Sequence, residues 1–355
     1  MCPYLCNNKG TKPRSLVFAI SDIHSFISFT LSVIGPVLLL IVIGYLFYRF
    51  KVLDDAFVEK ASKLIFNFAL PALLFVNISA SDISALTEPK TIAIGVSATL
   101  IIFILYLLWA SFMVKHRQDK GVLIQGAFRA NMGIIGLAYC ANAYGSEGLA
   151  YASIYLGCLT IVYNVMSVAV LNIFSAEQIA LTGSNKQDPL LLKNKVRVSK
   201  SRIGKGIITN PIILSIIAGV MFAYLRIPVP EFALNSLGYF AQLTLPLALL
   251  CTGASLRFSN VGSNHQVLSA AVMGKCILYP LVTIALALVF DISGLSLGVI
   301  FFMALSPTAA ASYVMVRKIG GNHQLAAQII ALTTIASVPV TVLAYFLMLK
   351  YTSIA

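Results

Sequence analysis

Two basic residues lie inside long apolar stretches of this 355-residue chain, and neither has an acid at comparable depth. Arg129 opens the run Arg129-Ala130-Asn131-Met132-Gly133-Ile134-Ile135-Gly136, and Lys275 sits in Lys275-Cys276-Ile277-Leu278-Tyr279-Pro280. A cation at the centre of a membrane helix costs about 2.5–3.5 kcal/mol on insertion scales and usually faces a functional cavity. The nearest acids, Glu147 and Asp291, stand at span edges. Two such cations suggest a site for an anion. Lys275 is nearer mid-span, whereas Arg129 is only about two turns in, so snorkelling to the cytoplasmic surface competes with a site role.

Around them are residues that interrupt helices. Gly133 and Gly136 each weaken a helix by about 1 kcal/mol, and Pro307, in Ala304-Leu305-Ser306-Pro307-Thr308-Ala309, lacks an N–H. Unwound backbone at mid-membrane depth is tolerated where it lines a cavity or is buried in protein. Paired interruptions in corresponding segments point to a transport site, with small-residue helix packing as the competing reading. Asn131 and Ser306 would add hydrogen bonds. Asn67 and Gln242 occupy matching places in two other apolar runs, where lining the path or bonding across helices are both open.

These residues need membrane elements to position them. The chain is 59% hydrophobic and 10% charged, against roughly 25% charged in a soluble domain. That excludes an ordinary soluble enzyme, a disordered protein and a disulfide-stapled secreted domain. Apolar runs long enough for a roughly 30 Å hydrocarbon core predict ten spans: 28–49, 61–80, 91–114, 122–143, 149–174, 207–226, 232–256, 266–290, 295–314 and 325–349. Residues 1–27 read as a polar tail, 28–174 as a first five-helix unit, 175–206 as a basic loop and 207–350 as a second five-helix unit.

The net charge of +13 does not imply nucleic acid, because the Lys and Arg cluster in short connections rather than on a soluble face. The connections after spans 1, 3, 5, 7 and 9 hold 17 of the 25 Lys and Arg. By the positive-inside rule the 175–206 loop is cytoplasmic, both termini face outside, and the protein is a multi-pass protein of the cell (plasma or inner) membrane.

The two units match at a constant offset of 175: Pro36 and Gly44 with Pro211 and Gly219, Leu70-Pro71 with Leu245-Pro246, and Gly145 with Gly320. Five spans per unit is an odd number, so the second unit would be inverted, as in many secondary transporters. The fold expected is therefore all-α: ten transmembrane helices as a 5+5 inverted-topology repeat with helices 4 and 9 broken.

Other chemistries find little support. There is no G-x-x-x-x-G-K-[ST] loop and no H-E-x-x-H motif; His24, His116, His265 and His323 fall in tails or loops. No catalytic residue, metal site or cofactor is expected, and the protein reads as a non-enzyme. Cys2 and Cys6 form a lone C-x3-C, too little to call a disulfide or metal site. The other four cysteines lie in apolar segments as small hydrophobes.

The segments Asn67–Phe75, Arg129–Leu137, Asn210–Leu214, Leu245–Leu256 and Lys275–Pro280 together resemble the auxin efflux carrier family. The resemblance covers residues 28–350. It implies a ten-helix fold of the bile-acid symporter/NhaA-like kind, with spans 4 and 9 crossing near the substrate and spans 1, 2, 6 and 7 forming a scaffold, often dimeric, for elevator-type movement. Asn131 and Pro307 match family crossover positions, although Ala138 stands where many members carry Pro. The short cytoplasmic loop is nearer to prokaryotic permeases than to plant carriers.

The reading is a secondary transporter of small organic anions, probably carboxylates of the malonate, other dicarboxylate or auxin type. Its candidate binding residues are Arg129, Asn131, Gly133, Gly136, Lys275, Ser306, Pro307, Asn67 and Gln242. A sodium-coupled importer and a non-transporting membrane sensor are the alternatives. The expected partners are the organic anion and the lipid bilayer, with a homodimer and a Na+ or H+ coupling ion left open.

Overall fold

The computed structural model describes residues 27–28, 30–81, 88–182, 209–256 and 265–351. The Cys2/Cys6 pair and the basic cluster from Lys186 to Lys205 lie outside them. The described chain is helical throughout, and its one sheet-type pairing is a single antiparallel bridge between Ala130 and Thr308. Six helices are long and apolar enough to cross a membrane: Asp55–Ser79, Pro89–Met113, Met132–Phe174, Glu231–Ala254, His265–Val289 and His323–Met348. Three shorter apolar helices accompany them: Gly35–Arg49, Pro211–Tyr224 and Gly294–Leu305.

In chain order the helices are α1 (Gly35–Arg49), α2 (Asp55–Leu64), α3 (Leu70–Ser79), α4 (Pro89–Met113), α5 (Arg117–Phe128) and α6 (Leu137–Thr182). There follow α7 (Pro211–Tyr224), α8 (Glu231–Ala254), α9 (His265–Val272), α10 (Tyr279–Val289), α11 (Gly294–Leu305), α12 (Ala311–Ile319) and α13 (His323–Tyr351).

Local chemistry sets the boundaries. Span 2 starts at Asp55, six residues before the apolar run suggested, because the Asp54 carboxylate accepts the Phe57 N–H at 2.7 Å and caps a polar first turn. Pro89 and Pro211 open α4 and α7, where their missing N–H costs nothing. Within continuous helices Pro has to be accommodated. One-turn π-helical segments, Ile65–Ala69 and Met273–Leu278, lie just ahead of Pro71 and Pro280. Such a bulge relieves the clash of the proline ring with the preceding turn and recurs at functional sites. Pro246, the counterpart of Pro71, stays inside regular α8, so the matched prolines do not produce matched bulges.

A straight helix from Met132 to Phe174 would be about 65 Å long, twice the hydrocarbon thickness. It is not straight: Gly145 has φ 61° and ψ −145°, a conformation that only glycine adopts readily. The break divides the segment close to the predicted junction of spans 4 and 5.

Large apolar side chains such as Phe112, Tyr239 and Phe290 point outward, while Arg129, Lys275 and many Thr and Ser hydroxyls are buried. That arrangement suits a chain surrounded by lipid, where helix association rests on close packing and interhelical hydrogen bonds. α1 packs on α8 and α7 packs on α3. At the first contact a Cβ on Gly44 would overlap the Leu250 carbonyl, and one on Gly253 the Ile41 carbonyl, so these backbones meet as only small residues allow.

Candidate functional site

Helices α5 and α11 both stop in the protein interior. α5 gives way at Arg129 (φ −80°, ψ 97°) and α11 at Ser306 (φ −61°, ψ 139°) to extended backbone. The two extended segments pair with each other: the Asn131 N–H donates to the Pro307 carbonyl at 2.7 Å, and the Ala309 N–H to the Arg129 carbonyl at 2.9 Å. These bonds, with the Ala130–Thr308 bridge, satisfy polar groups that broken helices would leave bare. The Thr308 hydroxyl donates to the Gly126 carbonyl at 2.7 Å, and the Thr308 N–H to the Thr333 hydroxyl at 3.2 Å. The chain resumes as a π-helical turn at Met132–Gly136, whose Ile135 and Gly136 N–H groups share the Asn131 carbonyl, and as α12 on the other side.

The two cations flank this pairing. Arg129 does not snorkel to the surface; it is 8% exposed and turned onto α6. Its Nη1 donates to the Tyr163 carbonyl at 3.3 Å and the Ser167 hydroxyl at 3.0 Å, and its Nη2 to Asn164 Oδ1 at 3.0 Å. Lys275 is fully buried in the π-helical turn before Pro280. Its Nζ donates to the Ala304 carbonyl at 2.8 Å and lies 4.3 Å from the centre of the Tyr279 ring. Ala304 belongs to the last turn of α11, so the ammonium sits at the negative end of that helix dipole. Among the described residues the one salt bridge is the exposed Lys63–Glu59 pair, and neither buried cation faces a carboxylate.

The other sequence candidates fall into two groups. Asn131, Gly133, Gly136, Ser306 and Pro307 surround the paired segments. The Asn131 carboxamide is buried and makes no hydrogen bond to any described residue, whereas the Ser306 hydroxyl donates to the Met303 carbonyl of its own helix at 2.7 Å. Gly136 is where Met303 of α11 crosses, and a Cβ there would be 2.6 Å from its sulfur. Asn67 and Gln242 stand apart from this group, both exposed. Asn67 lines a largely apolar cleft of about 380 Å³ with Pro71, Phe75, Ser215, Leu237 and Phe240.

Several site neighbours carried no mark in the sequence. Tyr163 and Tyr279 share a hydroxyl hydrogen bond of 2.7 Å, and Thr99 lies 3.2 Å from the Tyr279 hydroxyl. Asn164 and Ser167 hold Arg129, and Gln125 is fully buried one turn before it. The spacing Asn164/Ser167, one turn apart on a helix, is a weak signal that could have been noticed once Arg129 was suspected.

A family model described as "Membrane transport protein" matches residues 29–345. Among curated relatives, an "Uncharacterized transporter" of Methanothermobacter thermautotrophicus is 25% identical over 308 residues, covering 85% of this chain and 92% of the relative. A "Putative malonate transporter" of Rhizobium meliloti is 26% identical over 302 residues, 84% of this chain and 89% of the relative. A second uncharacterised transporter, from Methanocaldococcus jannaschii, is 24% identical over 318 residues, 88% and 97% of the two chains. With a match across most of its length and several membrane-length apolar helices, the chain belongs to the membrane transport protein family, the family of the auxin efflux carriers.

Proposed function

We propose that this protein is a secondary transporter of small organic anions, carboxylates in particular, working by elevator-type alternating access. The observation that carries this reading is the pair of buried cations, Arg129 and Lys275, beside two interrupted helices and without a carboxylate partner among the described residues. Buried positive charge without a resident anion favours an anionic visitor. The malonate named for one relative belongs to the same chemical class.

The 5+5 inverted repeat of ten helices belongs to this proposal. It is supported by the breaks at 129–131 and 306–310, which pair across the two halves. It is also supported by an exchange in packing: α1 of the first half meets α8 of the second, while α7 of the second meets α3 of the first. In this scheme Arg129, Asn131, Ser306 and the backbone near Gly133, Gly136 and Pro307 surround the anion, and Lys275 raises the local potential. Orientation with the 175–206 loop in the cytoplasm follows from the Lys and Arg distribution.

Energetics then favours export. Moving one negative charge out of an inside-negative compartment releases about 2.3 kcal/mol per 100 mV, so a monoanion needs no coupled ion to leave. The test is flux of labelled malonate, succinate and indole-acetate in proteoliposomes, with an imposed potential or an imposed sodium gradient. Saturable, potential-driven and sodium-independent flux supports the proposal. Flux that requires sodium replaces it with a symporter, and no flux of any carboxylate through folded protein removes it.

A further inference from the structure

Three polar atoms at the junction of α5, α6 and α12 are buried without a hydrogen-bond partner: Arg129 Nε, Gln125 Oε1 and Ser312 Oγ. Their residues are 8%, 0% and 3% exposed. Orphaned buried polar atoms are rare and call for an explanation. The three are close in the fold. Gln125 and Arg129 are one turn apart at the end of α5, and Gln125 Nε2 is 3.8 Å from Met315 Sδ on α12. Ser312 lies one turn before Met315, and its N–H donates at 2.9 Å to the carbonyl of Ala309, the residue whose own N–H donates to the Arg129 carbonyl.

The donor count of Arg129 is informative. A guanidinium has five N–H bonds, and three of its contacts are made, two through Nη1 and one through Nη2. The remaining two N–H bonds belong to Nε and Nη2, which lie side by side on one edge of the planar group. That edge is the shape that binds a carboxylate through two parallel hydrogen bonds. Tyr163, Asn164 and Ser167 fix the opposite edge, so the free one is preset in direction. Ser312 adds a hydroxyl that can donate to the same carboxylate. Gln125 Oε1 differs from both, because a carbonyl oxygen only accepts and a bare carboxylate offers it nothing.

We infer that this junction is a binding subsite for a carboxylate carrying a hydrogen-bond donor beside its carboxyl group, a 2-hydroxy acid being the simplest case. The Arg129 edge and Ser312 take the carboxylate, and Gln125 Oε1 accepts from the hydroxyl. The inference rests on the proposed organic-anion transport and narrows its substrate class. An acceptor buried to receive a hydroxyl discriminates against the analogue lacking it, because that analogue leaves the acceptor unpaired.

The test compares malate with succinate, and lactate with propionate, as competitors and as labelled substrates for the full-length protein in proteoliposomes. Each hydroxy acid is expected to be preferred over its parent by about 10-fold or more. Gln125→Met, which keeps the volume and removes the acceptor, reduces that preference to about 2-fold or less and leaves the parent acid within about 2-fold of wild type. Ser312→Ala weakens both members of a pair alike. Equal handling of hydroxy and parent acids by wild type, or an intact preference in Gln125→Met, overturns the subsite while leaving anion transport standing. Failure of every acid to bind or move overturns the transport reading as well.

Discussion

Arg129 and Lys275 looked alike as sequence, two lone cations in apolar spans, yet the fold uses them differently. Lys275 points at the end of α11, where its ammonium holds the Ala304 carbonyl and covers the Tyr279 ring. Arg129 is anchored along one edge by α6 and keeps two donors. One cation completes a broken helix and the other is prepared to meet a ligand. By depth in the membrane alone Lys275 is the stronger site candidate; hydrogen-bond inventory reverses that order.

The comparison can be broken most directly at Arg129. Arg129→Leu should reduce carboxylate flux by about 100-fold, since an interaction with a buried charge partner is worth about 2–5 kcal/mol. Arg129→Lys, which keeps the charge but loses the two-pronged edge, should lose about 10-fold, mainly as a higher KM. Lys275→Met tests the other half. It should lower the maximal rate several-fold, leave KM within about 3-fold, and raise the melting temperature, because replacing an unpaired buried ion with an apolar chain of similar volume can stabilise a protein by about 1–4 kcal/mol. A large KM increase in Lys275→Met with a small one in Arg129→Lys would invert the assignment.

A smaller effect is expected where the two broken segments are held together. Gly136→Ala brings a methyl group against Met303 and should cost about 1–3 kcal/mol in stability. Adding Met303→Ala should recover part of it in a thermal-unfolding measurement. The smallest effect is reserved for the exposed amides. Asn67→Leu and Gln242→Leu should leave flux within about 2-fold of wild type, as exposed positions away from a site usually change free energy by no more than about 0.5 kcal/mol.

Much of the architecture is legible in the chain because membrane spans announce themselves by length and hydropathy. The interruption at 129–136 is visible through Gly133 and Gly136, and that at 306–310 through Pro307. The break at Gly145 could be placed only between two spans, since its positive φ depends on how those helices are packed. The site is less legible. Tyr163, Asn164, Ser167, Gln125 and Ser312 are ordinary residues for a membrane helix, and their meaning comes from partners far away in sequence. Asn77 and Thr252 illustrate the converse: each donates to a carbonyl four residues earlier on its own helix, so equivalent polar positions need not face a substrate.

The most direct measurement is labelled-carboxylate flux into proteoliposomes under an imposed membrane potential, run in parallel on wild type, Arg129→Lys and Lys275→Met. The account predicts saturable, potential-sensitive flux in the wild type, a raised KM in Arg129→Lys and a near-normal KM in Lys275→Met. Unchanged KM in Arg129→Lys, or no carboxylate flux through folded wild-type protein, would contradict it.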